Sequence, residues 1–146
     1  MKFKFVILIV IAILFGFLSA RAVYGKIKVP VSNNEDVYFL QEGMSSDKNE
    51  FNNDDKKYDY IVENVNDRYY VYVGITTNLS NANRIKKIYD DKNINTYIRK
   101  RSISNEEFYN NLEQYDILLS GALKDKDVLS INKVILSSYE EMVLNA

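Results

Sequence analysis

The side chains of this sequence that could do chemistry are aromatic, amide and guanidinium groups that alternate along three apolar segments. Residues two apart on a β-strand lie on the same face. If Val71 and Val73 face a core, their neighbours therefore point outward. The candidate ligand-binding residues found in this way are Phe39, Gln41, Tyr70, Tyr72, Tyr97 and Arg99, with Arg101 beside them. Aromatic rings stack on the apolar faces of sugars, amides bond hydroxyls, and arginine pairs with carboxylates, so the set suits a sugar polymer.

The residue types that many enzymes and metal sites need are missing. The sequence has no cysteine and no histidine, which excludes cysteine-containing zinc sites, a cysteine nucleophile and a histidine base. Glu106 and Glu107 are adjacent in sequence, so they do not form the convergent carboxylate pair of a glycosidase. No glycine-rich phosphate loop and no nucleophile motif is present. We therefore expect no catalytic residues, no cofactor and no metal ion, and a protein that is not an enzyme.

The charge of the sequence is unevenly distributed. The net charge is −1 over 146 residues, but residues beyond position 28 carry 14 basic and 20 acidic side chains, a net charge of −6. Aromatic sheet surfaces also hold single-stranded nucleic acids, but such binding rests on lysine and arginine neutralising phosphates. We therefore expect no nucleic-acid partner.

The amino-terminal segment has the composition of a membrane anchor. Residues 5–20 carry no charge and follow Lys2 and Lys4, which favour an amino terminus inside the cell. At 1.5 Å per residue they span about 24 Å, and flanking residues extend the helix. We predict a transmembrane anchor over 1–24, with membrane contact through residues 5–24, and a linker over 25–36. A cleaved signal peptide is the alternative, because Ala20-Arg21-Ala22 fits a cleavage site after Ala22.

The order of predicted elements indicates an α+β fold. Strands are predicted over 37–43, 60–64, 68–74 and 96–103, and Asn66-Asp67 is a turn signal that makes the middle two a hairpin. A weak helix is predicted over 46–58. A second helix, capped by Thr77 and stopped at Asn93, follows the third strand. The order βαββαβ is the split-βαβ (ferredoxin-like or RNP-like) motif, a four-stranded antiparallel sheet with two helices on one face.

A helical hairpin is predicted after the last strand. Ser104 and Glu107 have the spacing of a capping box, and Gly121 ends the helix that they open. Asp127 is the predicted cap of a second helix, whose apolar residues recur at helical spacing. The predicted domains are therefore 37–103 for the βαββαβ unit and 104–146 for the hairpin.

The βαββαβ segment contains three short motifs: Leu40-Gln41-Glu42-Gly43 on the first strand, Tyr70-Val71-Tyr72-Val73-Gly74 on the third, and Ala82 on the following helix. In these residues it resembles the SPOR domain family. The sequence departs from the family pattern at Glu42, Glu50, Tyr70 and Asn93. The resemblance implies binding to peptidoglycan glycan strands that lack stem peptides, in bacterial division or sporulation.

Two alternatives stay open. The hairpin over 104–146 could fold over the sheet and bury the face that carries the candidate residues, because its apolar stripes need a partner. The same fold could also serve as a protein-interaction scaffold, or as a regulator of a cell-wall enzyme, together with division or sporulation proteins. Either way, the sequence predicts an extracytoplasmic domain on a single-pass anchor in the cytoplasmic membrane.

Overall fold

The centre of the fold is an antiparallel sheet of four strands. The computed structural model describes residues 36–51 and 56–146, which belong to one unit, Asn34–Ala146. The strands are β1 (Val37–Ser45), β2 (Ile61–Val65), β3 (Arg68–Thr76) and β4 (Tyr97–Arg101), in the order β2-β3-β1-β4. The predicted α+β class and the four-stranded antiparallel sheet are confirmed.

Three α-helices accompany the sheet in the described residues. They are α1 (Leu79–Asp90), α2 (Glu106–Gly121) and α3 (Asp125–Tyr139), and a π-helical turn (Glu140–Leu144) follows α3. α1 buries Ala82, Ile85 and Ile88, as the helical spacing predicts. Asn93 has φ 60°, so the left-handed stop is confirmed.

The helix caps lie close to the predicted residues but not on them. Asn78, not Thr77, caps α1, and its side chain accepts from the backbone N–H groups of residues 80 and 81. Asn105, not Ser104, caps α2 by accepting from the N–H of Phe108. α3 begins at Asp125, two residues before the predicted cap Asp127, which lies inside its first turn. At the starts of α1 and α2, two neighbouring residues are both good caps, so composition alone does not choose between them. Lys124, which precedes α3, makes no side-chain cap bond.

The predicted helix over 46–58 is wrong in the described residues. The segment contains one 3₁₀ turn, Lys48–Phe51, and residues 56–58 are not helical. Its two apolar side chains, Phe51 and Tyr58, are seven residues apart, which is too sparse to bury a helical face. Phe51 instead lies beside Gly43, and the Tyr58 ring packs against Tyr89 of α1 at 5.9 Å.

The hairpin turn and two irregularities fix the register of the sheet. Asn66 and Asp67 both have positive φ, 52° and 61°, as a tight turn between twisted strands requires. Between β1 and β3, Leu40 pairs with Gly74 and Gln41 with Tyr72. The ladder therefore skips Val73 on β3, and the next step skips a residue on β1. These bulges change which neighbours share a face.

Helices pack on the sheet at two places. At the first, Ile85 of α1 and Leu40 of β1 approach Gly74 so closely that a Cβ on this glycine would lie 3.2 Å and 3.0 Å from them. At the second, Tyr139 of α3 packs edge-on against Phe39 of β1 at 5.5 Å and against Phe108 of α2 at 5.2 Å. The hairpin of α2 and α3 therefore covers part of the sheet.

A buried carboxylate ties α2 to the turn between β3 and α1. Asp116 is 6 % exposed. It accepts hydrogen bonds from the Thr76 hydroxyl, from the N–H and hydroxyl of Thr77, and from the Asn81 amide. Because each of these groups is satisfied, the polar cluster is compatible with burial.

The predicted membrane anchor over 1–24 and the linker over 25–36 lie outside the described residues, except for Asp36. Of the helices formed by residues 36–51 and 56–146, none has the length and apolarity needed to cross a bilayer.

Candidate functional site

A groove on the sheet brings together side chains from all four strands. It has a volume of about 470 Å³. The residues that line it are Gln41, Met44, Val65, Tyr70, Tyr72, Arg99, Lys100 and Arg101. Four of the six residues predicted from strand alternation are in this set.

The position of Gln41 in the sheet explains how these side chains meet. β1 is a central strand, and Gln41 pairs with Tyr72 on β3 and with Tyr97 on β4. Residues directly opposite on neighbouring strands have side chains on the same face. The amide of Gln41 therefore lies between an aromatic strand and a basic strand.

Phe39 and Tyr72 are buried, contrary to the prediction that they face outward into solvent. Phe39 is 0 % exposed and Tyr72 is 3 % exposed. Phe39 contacts Tyr72 at 5.0 Å and Tyr139 at 5.5 Å, and the Arg101 guanidinium lies 4.5 Å from the Phe39 ring centroid. The hairpin and Arg101 therefore cover this part of the sheet face. Strand alternation in the sequence could not distinguish a covered face from an open one.

Tyr97 and Arg99 are exposed, as predicted. Tyr97 is 60 % exposed and does not line the groove, although it lies beside Gln41 in the sheet. The side chain of Arg99 lines the groove and makes no hydrogen bond or ion pair with the described part of the chain. Its guanidinium is therefore available to an anionic group.

Two parallel tyrosine rings form the aromatic wall of the groove. The Tyr70 and Tyr72 ring centroids are 6.3 Å apart and their planes differ by 6°. The two residues alternate on β3 with buried Val71, which fixes their common orientation. Because Tyr72 is only 3 % exposed, the Tyr70 ring is the one that can stack on a sugar ring, and Tyr72 packs parallel to it.

Arg101 crosses the groove floor to Glu63 of β2. One of its nitrogens donates to Glu63 at 2.5 Å and to the Tyr72 hydroxyl at 2.9 Å, and the other donates to Glu63 at 3.1 Å. Burial alone would lower the pKa of Arg101, but the hydrogen bond to Glu63 and the surrounding charges outweigh it, so the pKa lies above its usual range. The guanidinium stays charged and held in one geometry.

Glu63 and Tyr139 were missed by the sequence prediction. The Tyr139 hydroxyl donates to Glu63 at 3.2 Å, across 76 residues of chain. Glu63 pairs with Tyr70 in the β2–β3 ladder. The turn at residues 66 and 67 together with strand alternation would have placed Glu63 on the face of Tyr70, but the contact with Tyr139 depends on tertiary packing.

The charges and burial in the groove keep the Tyr72 phenol neutral and favour a ligand with a negative charge. Burial raises the pKa of Tyr72, and this effect exceeds the lowering by Arg101. Lys100 pairs with Asp36 at 2.6 Å, and this hydrogen bond raises its pKa. Since Arg101 and Lys100 each have an acidic partner, Arg99 is the basic group left to bind a ligand.

A metal site is not found in residues 36–51 and 56–146, where no group of three or more acidic side chains converges. Comparison of the chain with family models, with curated proteins and with solved structures finds no match.

Proposed function

We propose that the groove binds a glycan strand and does not act on it as an enzyme. The chain would then be a SPOR-like peptidoglycan-binding protein. The observation that carries the proposal is that the Tyr70 ring, which lies parallel to Tyr72, and the Arg99 guanidinium, which has no partner within the described residues, line the same groove. A ring that can stack and an arginine that can pair with an anion suit a polymer that has both apolar sugar faces and carboxylates.

The strand order supports the finer fold assignment. The order β2-β3-β1-β4 with α1 between β3 and β4 is that of a split-βαβ unit. In this chain a short 3₁₀ turn stands in the place of the first helix, and α3 packs against β3. We assign residues 37–103 to a SPOR-like unit and residues 104–146 to a hairpin that completes its core.

Removal of stem peptides changes the ligand in the direction that the groove favours. Hydrolysis of the amide that joins a peptide to the glycan leaves a carboxylate on the sugar. Arg99 can pair with that carboxylate, whereas the intact amide offers no negative charge. Stripped strands also give Tyr70 unobstructed access to the sugar rings. We therefore expect stripped glycan to bind more tightly than intact wall.

A pull-down on purified peptidoglycan sacculi tests the proposal. The full chain, purified in detergent, is incubated with intact sacculi and with sacculi treated with an amidase. Retention should be greater on the treated material and should fall about 10-fold or more in Arg99→Gln, since a charged hydrogen bond contributes about 1.5–3 kcal/mol. Lys87→Gln is the matched control, because it removes one charge from an exposed site on α1. Equal retention on both materials contradicts the proposal.

The proposed location follows from the same reading. A single-pass anchor at residues 5–24 would hold the domain outside the cytoplasmic membrane, where the wall lies, in division or sporulation. The uncharged run at 5–20 with Lys2 and Lys4 before it supports this topology.

A protein-interaction scaffold is the second candidate, and exposed apolar residues favour it. Ile117 and Leu118 of α2 are 66 % and 56 % exposed, and Leu123 in the loop before α3 is 93 % exposed. Exposed apolar side chains that lie near one another are typical of interaction surfaces. Under this candidate function, sacculi retain the chain equally poorly before and after amidase treatment.

A further inference from the structure

The ammonium group of Lys56 lies among three aromatic rings and one carboxylate. Its Nζ is 4.8 Å from the Tyr60 ring centroid, 5.5 Å from that of Tyr58 and 5.7 Å from that of Phe51. The same nitrogen is 2.6 Å from Oε2 of Glu42. Rings within about 6 Å attract a cation through their quadrupoles. These four residues, Phe51, Tyr58, Tyr60 and Glu42, form what we call the ammonium cage.

The walls of the cage are joined to one another by contacts that do not involve Lys56. The Tyr58 hydroxyl donates to Oε1 of Glu42 at 2.5 Å, and the Tyr60 hydroxyl donates to the Phe51 carbonyl at 3.1 Å. The Tyr58 and Tyr60 rings pack edge to face at 6.3 Å. The cage is therefore organised by its own members, and its occupant can change without loss of these bonds.

The fold also holds the cage from outside. Tyr58 packs on Tyr89 of α1, which is 1 % exposed, at 5.9 Å. Glu42 is the β1 residue that the β1–β3 ladder skips, so the bulge directs it away from strand pairing. Burial, followed by the hydrogen bond to Glu42, raises the pKa of Tyr58, so this phenol stays neutral. A rigid wall and a fixed carboxylate reduce the ordering cost of binding a cation.

We propose that Phe51, Tyr58, Tyr60 and Glu42 form a binding site for an organic ammonium group, which Lys56 of the same chain occupies and which a ligand's primary or methylated ammonium can enter in its place. The rings accept methylated as well as primary amines, because the attraction depends on the charge and not on a hydrogen bond. The side chain of Lys56 is 14 % exposed, so the cage is not closed to solvent.

Because Lys56 is part of the same chain, it competes with any free ammonium group for the cage. A group joined to the same chain competes at an effective concentration of about millimolar or more. A free ammonium must exceed this concentration to displace it, whereas a ligand that is already bound elsewhere on the protein has the same advantage as Lys56.

Vacating the cage tests the proposal. Thermal melting of the full-length Lys56→Ala variant in detergent is measured with increasing tetramethylammonium chloride or methylammonium chloride, against potassium chloride at equal ionic strength. We expect a saturable rise in the melting midpoint with either ammonium salt, at a midpoint concentration about 10-fold or more below that of the parental chain. Lys57→Ala, which changes the exposed neighbouring lysine, should respond like the parental chain.

Two further variants make the result decisive. Lys56→Ala combined with Glu42→Gln should lose the response to both ammonium salts, because the carboxylate is gone. Lys56→Met should not respond, because its uncharged side chain fills the cage. If Lys56→Ala is unfolded in potassium chloride, tetramethylammonium must restore its cooperative melt. The proposal is overturned if Lys56→Ala responds to the ammonium salts no better than the parental chain, or if it is unfolded and neither salt restores it.

Discussion

The side-chain amide of Asn132 donates a 2.7 Å hydrogen bond to the backbone carbonyl of Val73. Val73 is the β3 residue that the β1–β3 ladder skips and that the β2–β3 ladder does not include. Asn132 is 1 % exposed, and the bond joins α3 to the bulge in β3. The helix thereby supplies a hydrogen bond that the sheet leaves out.

Loss of this hydrogen bond should destabilise the fold. Asn132→Ala leaves the Val73 carbonyl buried without its partner, and we expect a loss of about 1–3 kcal/mol in the free energy of unfolding. Urea denaturation followed by circular dichroism measures it. Asn110→Ala, at an exposed position of α2, is the control and should change stability by less than about 0.5 kcal/mol. Equal stability of the two variants would show that the bond contributes nothing.

Gly74 should not tolerate a side chain. A Cβ there would lie 3.0 Å from Leu40, 3.2 Å from Ile85 and 3.2 Å from the Asn132 side chain. We expect Gly74→Ala to lower the free energy of unfolding by about 1–3 kcal/mol, the usual cost of overpacking a core. Gly121→Ala is the matched control, because no atom lies within 4 Å of its Cβ position. If both variants have the same denaturation midpoint, the close approach of neighbouring atoms to Gly74 does not restrict the residue at this position.

Truncation of the outer tyrosine of the groove should weaken glycan binding. We expect Tyr70→Ala to lower retention on amidase-treated sacculi about 5- to 150-fold, if a sugar stacks as strongly as a nucleic-acid base, at about 1–3 kcal/mol. Tyr72 is better changed to Phe, since it is buried and its truncation would open a cavity. Tyr97→Ala provides the comparison, because Tyr97 lies outside the groove lining. A loss in Tyr97→Ala as large as in Tyr70→Ala would place the ligand beyond the groove.

Alkaline pH should destabilise the protein through its buried tyrosines. Burial raises the pKa values of Tyr58, Tyr72, Tyr89 and Tyr139. The unfolded chain releases these protons near pH 10, whereas the folded chain retains them. The contribution of these phenols to the free energy of unfolding is therefore fully present below about pH 10. Above that pH the free energy of unfolding falls by up to about 1.4 kcal/mol per pH unit for each such group.

Urea midpoints between about pH 8 and about pH 11, with phenolate absorbance recorded in parallel, measure this loss. Tyr139→Phe removes one of the groups and should make the fall less steep. A midpoint that does not change over this range would mean that the buried phenols ionise as readily as those of an unfolded chain.

The proposed topology can be tested by fusion of alkaline phosphatase after Ala146. The uncharged residues 5–20 after Lys2 and Lys4 predict an active enzyme in the membrane fraction. An active enzyme in the soluble fraction indicates cleavage after Ala22 instead. Lack of activity, with the fusion protein present in the cell, contradicts the extracytoplasmic location.

Local sequence patterns predicted the sheet because each signal acts over a few residues. Alternation around Val71 and the turn residues Asn66 and Asp67 were sufficient to place the β2–β3 hairpin. The bulges at Glu42 and Val73 could not be predicted in this way, because a ladder skips a residue only when the paired strands are considered together.

The candidate site was predicted in part for the same reason. Gln41, Tyr70 and Arg99 lie in the groove because strand alternation brings them to one face. Phe39 is buried because Tyr139, which is far away in sequence, packs on its ring. No periodicity in either segment specifies that contact, since an apolar stripe on a helix shows that it needs a partner but not which one.

The contact of Tyr139 with Phe39 and Glu63 has a consequence for synthesis. Glu63 and Tyr139 are separated by 76 residues, so at about 5–20 residues per second about 4–15 s pass between their emergence from the ribosome. Once Arg101 has emerged, halfway through that interval, all four strands are complete, but Phe39 has not gained its helical cover. A paused or truncated chain that ends between Arg101 and Tyr139 would present a paired sheet with an exposed aromatic patch, and a chaperone or a protease would meet the protein in this form.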